Sequence, residues 1–153
     1  MKNTYFPMFF DISDWPILVI GGGSVGERRI KSLLSFGARI TLISPTVTKE
    51  LSEMTRTKEE LCWIKDIFSD TYLKELSESR MVLAATDDKA VNEEIYRICR
   101  DKNILVNACH DKEKCDFYFP SLIEKDGIVI GINSGGEDPS LTKKMRKQIE
   151  EYL

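Results

Sequence analysis

Gly21, Gly23 and Gly26 stand in the pattern Gly-x-Gly-x-x-Gly, a spacing that suits the binding of a pyrophosphate. In such a turn Gly21 permits a tight bend and Gly23 lets the backbone approach the phosphates. Gly26 lets the following helix lie close on the preceding strand. The amides of Ser24 and Val25, at the helix start, then face the anion, and the helix dipole favours negative charge there. Glycines also cluster in turns that hold no ligand, so the flanking residues decide between the two. Ile17-Leu18-Val19-Ile20, immediately before the glycines, is a branched apolar run typical of a strand buried on both faces. Ile30, Leu33 and Leu34 follow at helical spacing until Gly37. A strand, a glycine turn and a helix in direct succession point to a dinucleotide rather than to a bare structural turn.

The elements that must position this turn can be read along the chain. Residues 39–44 form a second strand, ended by Pro45. The residue meeting the adenosine ribose belongs at this strand's end, where an acid selects NAD through the 2′-hydroxyl. Ser44 stands there, followed by Pro45, with Lys49 as the nearest cation. NAD and NADP both stay open, with the balance towards NAD because no arginine follows to attract a 2′-phosphate. Residues 46–60 read as a polar helix and loop, and 61–64 as a short third strand. Residues 69–77 read as helical with Ser69 as N-cap. Residues 81–85 form a fourth strand, which Thr86-Asp87-Asp88 ends at the carboxyl edge, where open α/β sheets bind ligands. A helix over 90–100 and a fifth strand over 104–107 follow, ending at Asn107. The alternation implies a Rossmann-type, doubly wound parallel α/β sheet.

The tail departs from that rhythm. Residues 117–123 and 127–132 form a hairpin across Glu124-Lys125-Asp126, and a helix over 140–152 closes the chain. The expected division is therefore a dinucleotide-binding domain over 1–113 and a small dimerisation region over 114–153. A lone hairpin is barely stable in water, and a second copy of the chain is the economical cover for it. The aromatic segment Tyr5-Phe6-Pro7-Met8-Phe9-Phe10 is expected to pack over the sheet beside the first strand. Trp15 and Trp63 are expected in packing roles.

Bulk properties narrow the class. With 153 residues the chain holds one domain and a small appendage, and its net charge of -3 argues against nucleic acid as partner. No apolar run reaches the length of about 20 residues that a membrane helix needs. Pro7 and Asp11 interrupt the start, so no signal peptide is expected, and the location is cytoplasmic. Four cysteines without close pairing read as free thiols. Cys109, His110 and Cys115 could offer soft ligands, but a fourth is missing at sensible spacing, so no metal site is expected.

Several segments together resemble the precorrin-2 dehydrogenase/sirohydrochlorin ferrochelatase family, the dehydrogenase module of siroheme synthase. They are Tyr5-Phe6-Pro7-Met8-Phe9-Phe10-Asp11, Val19 to Arg29, Ala84-Ala85-Thr86-Asp87-Asp88 with Val91-Asn92, and Leu105-Val106-Asn107. Cys115-Asp116-Phe117-Tyr118-Phe119-Pro120-Ser121 and Ser134-Gly135-Gly136-Glu137-Asp138-Pro139-Ser140-Leu141 complete the set. The resemblance implies a homodimer that oxidises precorrin-2, a tetrapyrrole, to sirohydrochlorin with NAD as hydride acceptor. Some members then insert ferrous iron. The nicotinamide performs hydride transfer, so the protein must position two partners and remove a proton.

The family carries an aspartate three residues beyond the asparagine of the fifth strand; here that place is His110, with Asp111 next. His110, the only histidine, suits a general base near neutral pH. Asp111 after a small loop shift, or neither residue, is the alternative. Ser134 matches a family serine near the active-site cleft, with capping of a turn as its other reading. The candidate set is thus Gly21, Gly23, Ser24, Val25, Gly26, Ser44, Pro45, Thr86, Asp87 and Asn107 for the cofactor, and His110, Asp111 and Ser134 for catalysis. Lys143, Lys144, Arg146 and Lys147 crowd the last helix and could meet the substrate's carboxylates, or simply form a solvated face. Family members usually continue into a further helical region that helps cover the tetrapyrrole, whereas this sequence ends at Leu153. Dehydrogenation is therefore the expected activity, and iron insertion is left open. A non-catalytic NAD- or tetrapyrrole-binding module is the competing class.

Overall fold

A computed structural model describes residues 5–153. Its first unit, Phe9–Asp116, is a five-stranded parallel sheet with helices between the strands. The strands are β1 (Pro16–Gly22), β2 (Arg39–Val47), β3 (Leu61–Ile64), β4 (Met81–Ala84) and β5 (Leu105–Ala108). The helices are α1 (Ser24–Ser35), α2 (Lys49–Thr57), α3 (Leu73–Glu78) and α4 (Lys89–Asp101). The spatial order is β3-β2-β1-β4-β5. From β1 the chain winds outward to β2 and β3, then returns to the other side of β1 for β4 and β5. That reversal opens a crevice at the carboxyl ends of β1 and β4, where ligands of doubly wound sheets bind.

The core explains why these segments are strands. Ile17, Leu18, Val19 and Ile20 are all buried, because helices cover both faces of the central strand. Leu18, Ile20, Val82, Ala84 and Val106 pack with Leu76 and with Ile95 and Cys99 of α4. Gly37 takes a positive φ of 77° and ends α1, as the sequence suggests.

Four local expectations are corrected. Pro45 does not end β2, which runs on to Val47. The neighbouring β3 stops at Ile64, opposite Ile43, so the missing N–H of Pro45 costs that side nothing. Residues 69–77 do not form one helix capped by the Ser69 side chain. A 3-10 turn over Asp70–Tyr72 precedes α3, and the Ser69 hydroxyl makes no cap bond. Tyr72 sets this tight turn, with its N–H bonded to Ser69 O at 2.9 Å and its hydroxyl donating to Asp66 Oδ2 at 2.5 Å. The aromatic start does not blanket the sheet: Phe9 and Phe10 are exposed, and Ile12 is the buried residue of that stretch. Phe10 instead meets Trp15 edge-on. Part of that segment, residues 1–4, lies outside the described residues.

Residues 5–8 and Phe117–Leu153 make the second unit. Here β6 (Ser121–Lys125) pairs antiparallel with β7 (Ile128–Ile132), and α5 (Pro139–Tyr152) packs beside β6. The fourth correction is the hairpin turn, which is the pair Asp126-Gly127 rather than Glu124-Lys125-Asp126. Both residues have positive φ, 51° and 79°, the geometry of a two-residue turn matched to the twist of its strands. Asp138 caps α5 by accepting from Leu141 N at 2.9 Å, and Pro139 fits the first helical position. No residue of α5 is buried.

Candidate functional site

A cleft of about 520 Å³ opens at the carboxyl edge of β1, β2 and β4. The glycine turn forms one wall, residues 44–48 a second, and Thr86, Asp87, Asp88 and Val91 a third. Its size suits a nucleotide-sized ligand.

Each glycine of the motif has a distinct steric reason. Gly21 adopts φ +108°, and a Cβ there would stand 2.2 Å from Ala85 O. A Cβ on Gly26 would stand 2.3 Å from Gly21 O, so the first turn of α1 touches the end of β1. A Cβ on Gly23 would meet nothing within 4 Å. Gly23 therefore faces open space, where a bulky ligand group can come up against bare backbone. Gly23 is also the N-cap of α1 and offers no side-chain bond, whereas Thr48, Asp88 and Asp138 cap α2, α4 and α5. Ser24 and Val25 are exposed beside it. A helix start with uncapped amides is a ready site for a diphosphate.

Ser44 lies at the rim but points inward. It is 5% exposed; its Oγ accepts from Gly22 N at 3.0 Å and donates to Thr46 O at 2.6 Å. The indole of Trp63 donates to Ser44 O at 3.0 Å. Ser44 thus clamps the glycine turn to β2, and Pro45 and Thr46 are the exposed residues of that wall. On the opposite wall Thr86 is tied down by the fully buried Asn92. Thr86 N and Oγ1 donate to Asn92 Oδ1 at 3.1 and 2.8 Å, and Asn92 Nδ2 donates to Thr86 O at 2.9 Å. Asp88 caps α4, which leaves Asp87 exposed on the cleft.

Asn107 is buried at the end of β5, where its Oδ1 accepts from Arg29 Nη1 of α1. Arg29 Nη1 also donates to Cys109 Sγ. Burial pulls the Arg29 guanidinium below its ordinary value, and burial pushes the Cys109 thiol up despite the nearby cation. His110 follows on the same carboxyl edge, outside the lining of the cleft. Its Nδ1 is buried and has no hydrogen-bond partner among the described residues, and its Nε2 lies 3.9 Å from Glu93 Oε2. Lys114 Nζ pairs with the same Glu93 carboxylate. Asp111 is engaged otherwise: its Oδ1 accepts from Glu113 N at 3.0 Å, capping a 3-10 turn, and its Oδ2 lies 3.6 Å from Lys114. Ser134 belongs to the second unit, where its hydroxyl accepts from Asp138 N at 3.1 Å. No group of three or more His, Cys, Asp or Glu among the described residues could hold a metal ion.

Gly21, Gly23, Ser44, Pro45, Thr86 and Asp87 therefore line one cleft; Ser24, Val25 and Gly26 follow Gly23 in the first turn of α1 outside that lining, and Asn107, His110 and Asp111 lie farther along the sheet edge. Two residues carry more than the sequence reading assigned them. Asn92 falls one turn after the cap Asp88, and Arg29 shares the sheet-facing side of α1 with Gly26 and Leu33. A cation on that face was the available signal.

A family model described as putative NAD(P)-binding matches residues 8–121. Siroheme synthase of Pseudoalteromonas translucida (strain TAC 125) is 36% identical over 149 residues, covering 97% of this chain and 31% of that protein. The probable multifunctional siroheme biosynthesis protein HemA of Ruminiclostridium josui is 38% identical over 145 residues, covering 94% of this chain and 27% of that protein. The chain spans less than a third of the length of either relative. The solved structure of SirC, precorrin-2 dehydrogenase, aligns with a TM-score of 0.81 at 28% identity, over 97% of this chain and 71% of that one. The residues matched by the family model enclose the whole cleft, and this chain belongs to the putative NAD(P)-binding family.

Proposed function

We propose that this chain oxidises precorrin-2 to sirohydrochlorin in siroheme biosynthesis, with NAD as hydride acceptor. The observation that carries the reading is the likeness to SirC, a precorrin-2 dehydrogenase, over 97% of the chain. The glycine turn supports it from the chemical side. Gly23, Ser24 and Val25 would hold the diphosphate on open backbone, and Pro45, Thr46 and Asp87 would flank the nucleoside. NAD, when bound, supplies the acceptor for the hydride.

The chain's own residues then have to take the accompanying proton. His110 is the base in this reading, at the carboxyl edge of β5, with its Nδ1 buried and without a partner among the described residues. Glu93 Oε2 lies 3.9 Å from Nε2 and shares its carboxylate with Lys114. Asp111 is occupied with its turn and with Lys114. The exposed Lys143, Lys144 and Lys147 of α5 offer charge for the carboxylates of a tetrapyrrole. The second unit exposes Ile128, Leu141 and Met145, apolar surface that pairing with a second copy would cover. Cys62, Cys99 and Cys109 as free thiols suit the cytoplasm as working compartment.

Incubation with precorrin-2 and NAD tests the proposal. Growth of the sirohydrochlorin absorption band is expected; NAD binding by calorimetry without product would replace the enzyme with a binding module. Adding ferrous ion to sirohydrochlorin examines chelation separately.

A further inference from the structure

We propose that Arg29 is a positioning residue that holds the loop after β5, and with it His110, in fixed register to the helix that starts at the glycine turn. Arg29 lies one turn inside α1, and its Nη1 reaches two acceptors on the far side of the sheet order, Asn107 Oδ1 and Cys109 Sγ. The two acceptors lie 78 and 80 residues away in sequence and immediately precede His110. Backbone bonds anchor the start of the same loop: Cys109 N to Ala84 O at 2.9 Å and Asp111 N to Ala108 O at 3.1 Å. They tie it to β4 and to itself, whereas Arg29 ties it to α1.

The choice of residue argues for position over stability. The two N–H groups of Nη1 are held in the plane of the guanidinium and serve the two acceptors in fixed directions, whereas the donors of an ammonium rotate on a flexible stem. Burying that cation is costly, and an apolar side chain of similar volume at such a place is often neutral or stabilising. A purely structural contact between α1 and β5 could be made by apolar side chains on both elements. What arginine adds is a defined place for Asn107 Oδ1 and Cys109 Sγ.

The kinetic arm of the test rests on the proposed dehydrogenase activity; the exchange arm does not. Full-length Arg29→Met and Arg29→Lys are compared with the wild type by hydrogen exchange, NAD calorimetry and steady-state kinetics. In Arg29→Met, amides over residues 107–116 exchange faster while those over 17–27 keep their protection. NAD affinity stays within about twofold, kcat falls by about tenfold or more, and Arg29→Lys recovers part of the loss. Unchanged exchange over 107–116, or a loss of NAD affinity as large as the loss of kcat, overturns the inference. If Arg29→Met does not fold, Arg29→Lys alone carries the same two measurements, with a smaller effect in the same direction. A wild type without turnover would remove the dehydrogenase reading and leave the exchange result standing.

Discussion

Gly26 sits so close to Gly21 that a Cβ on Gly26 would lie 2.3 Å from the Gly21 carbonyl oxygen. The contact joins the first turn of α1 to the end of β1, whereas Gly23, between them, meets nothing within 4 Å. One motif therefore contains two kinds of glycine, one required by the fold and one on which the fold makes no steric demand.

Substitution separates the two kinds. Gly26→Ala must push helix and strand apart and is expected to cost about 1–3 kcal/mol of stability, the usual range for overpacking. Gly23→Ala has room for its methyl in the free protein, so its melting temperature should match the wild type while its NAD affinity falls about tenfold. Thermal unfolding and calorimetry on the two variants check this. Equal behaviour in both assays would mean that Gly23 does not face the diphosphate.

Ser44→Ala should act through the fold rather than through the ligand. It leaves Gly22 N without the buried oxygen that accepts from it at 3.0 Å, a loss of about 1–3 kcal/mol. Chemical denaturation measures that cost. Because the hydroxyl is turned away from the cleft, the ratio of NAD to NADP affinity should stay the same in this variant.

His110 and Asp111 are expected to part company in kinetics. His110→Ala should lower kcat by about 10²–10⁴, the usual contribution of a general base, with NAD affinity retained. His110→Asp, which sets at this place the aspartate that the resemblance to the dehydrogenase family implies, should recover part of the turnover. Asp111→Ala removes the cap bond to Glu113 N and should cost about 1 kcal/mol of stability with little effect on kcat. The reverse outcome, with Asp111→Ala inactive and His110→Ala active, would make the aspartate the base.

The buried Cys99 and the half-buried Cys115 make stability fall at alkaline pH. Burial raises Cys99 from 9.0 to about 12 and Cys115 from 9.0 to about 11. The folded protein holds these protons more tightly than the unfolded chain does. Their contribution is therefore fully present below pH 9 and is lost as pH rises towards 11–12. Denaturation midpoints measured from pH 8 to 11 should decline, and Cys99→Ala should flatten the decline. Alkylation of the native protein at pH 8 should label the exposed Cys62 first.

The glycine turn was legible in the sequence because a strand covered on both faces is written as an unbroken apolar run, and because each glycine answers a local steric demand. Ser44 was legible only in place. Whether its hydroxyl faces the ribose or the glycine turn depends on the irregular pairing beyond Ile20, which no periodicity records. Pro45 misled for a related reason, since its cost depends on where the neighbouring strand stops. The bonds from Arg29 to Asn107 and Cys109 span 78 and 80 residues and exist only once α1 and β5 meet across the finished sheet. That Nδ1 of His110 has no partner among the described residues is likewise a property of the closed loop, not of the residue type.

The slip in register between β1 and β2 has a practical side. While β1 advances from Ile20 to Gly22, β2 advances from Ile43 to Val47, so the longer strand carries slack at Pro45 and Thr46. Those two side chains are exposed, and the anchors on either side, Ser44 and Thr48, hold the wall in place without them. In the proposed reading, coenzyme choice should therefore yield to substitution at this bend, an acid for one dinucleotide or a base for the other, as an exchangeable part rather than a redesign of the sheet.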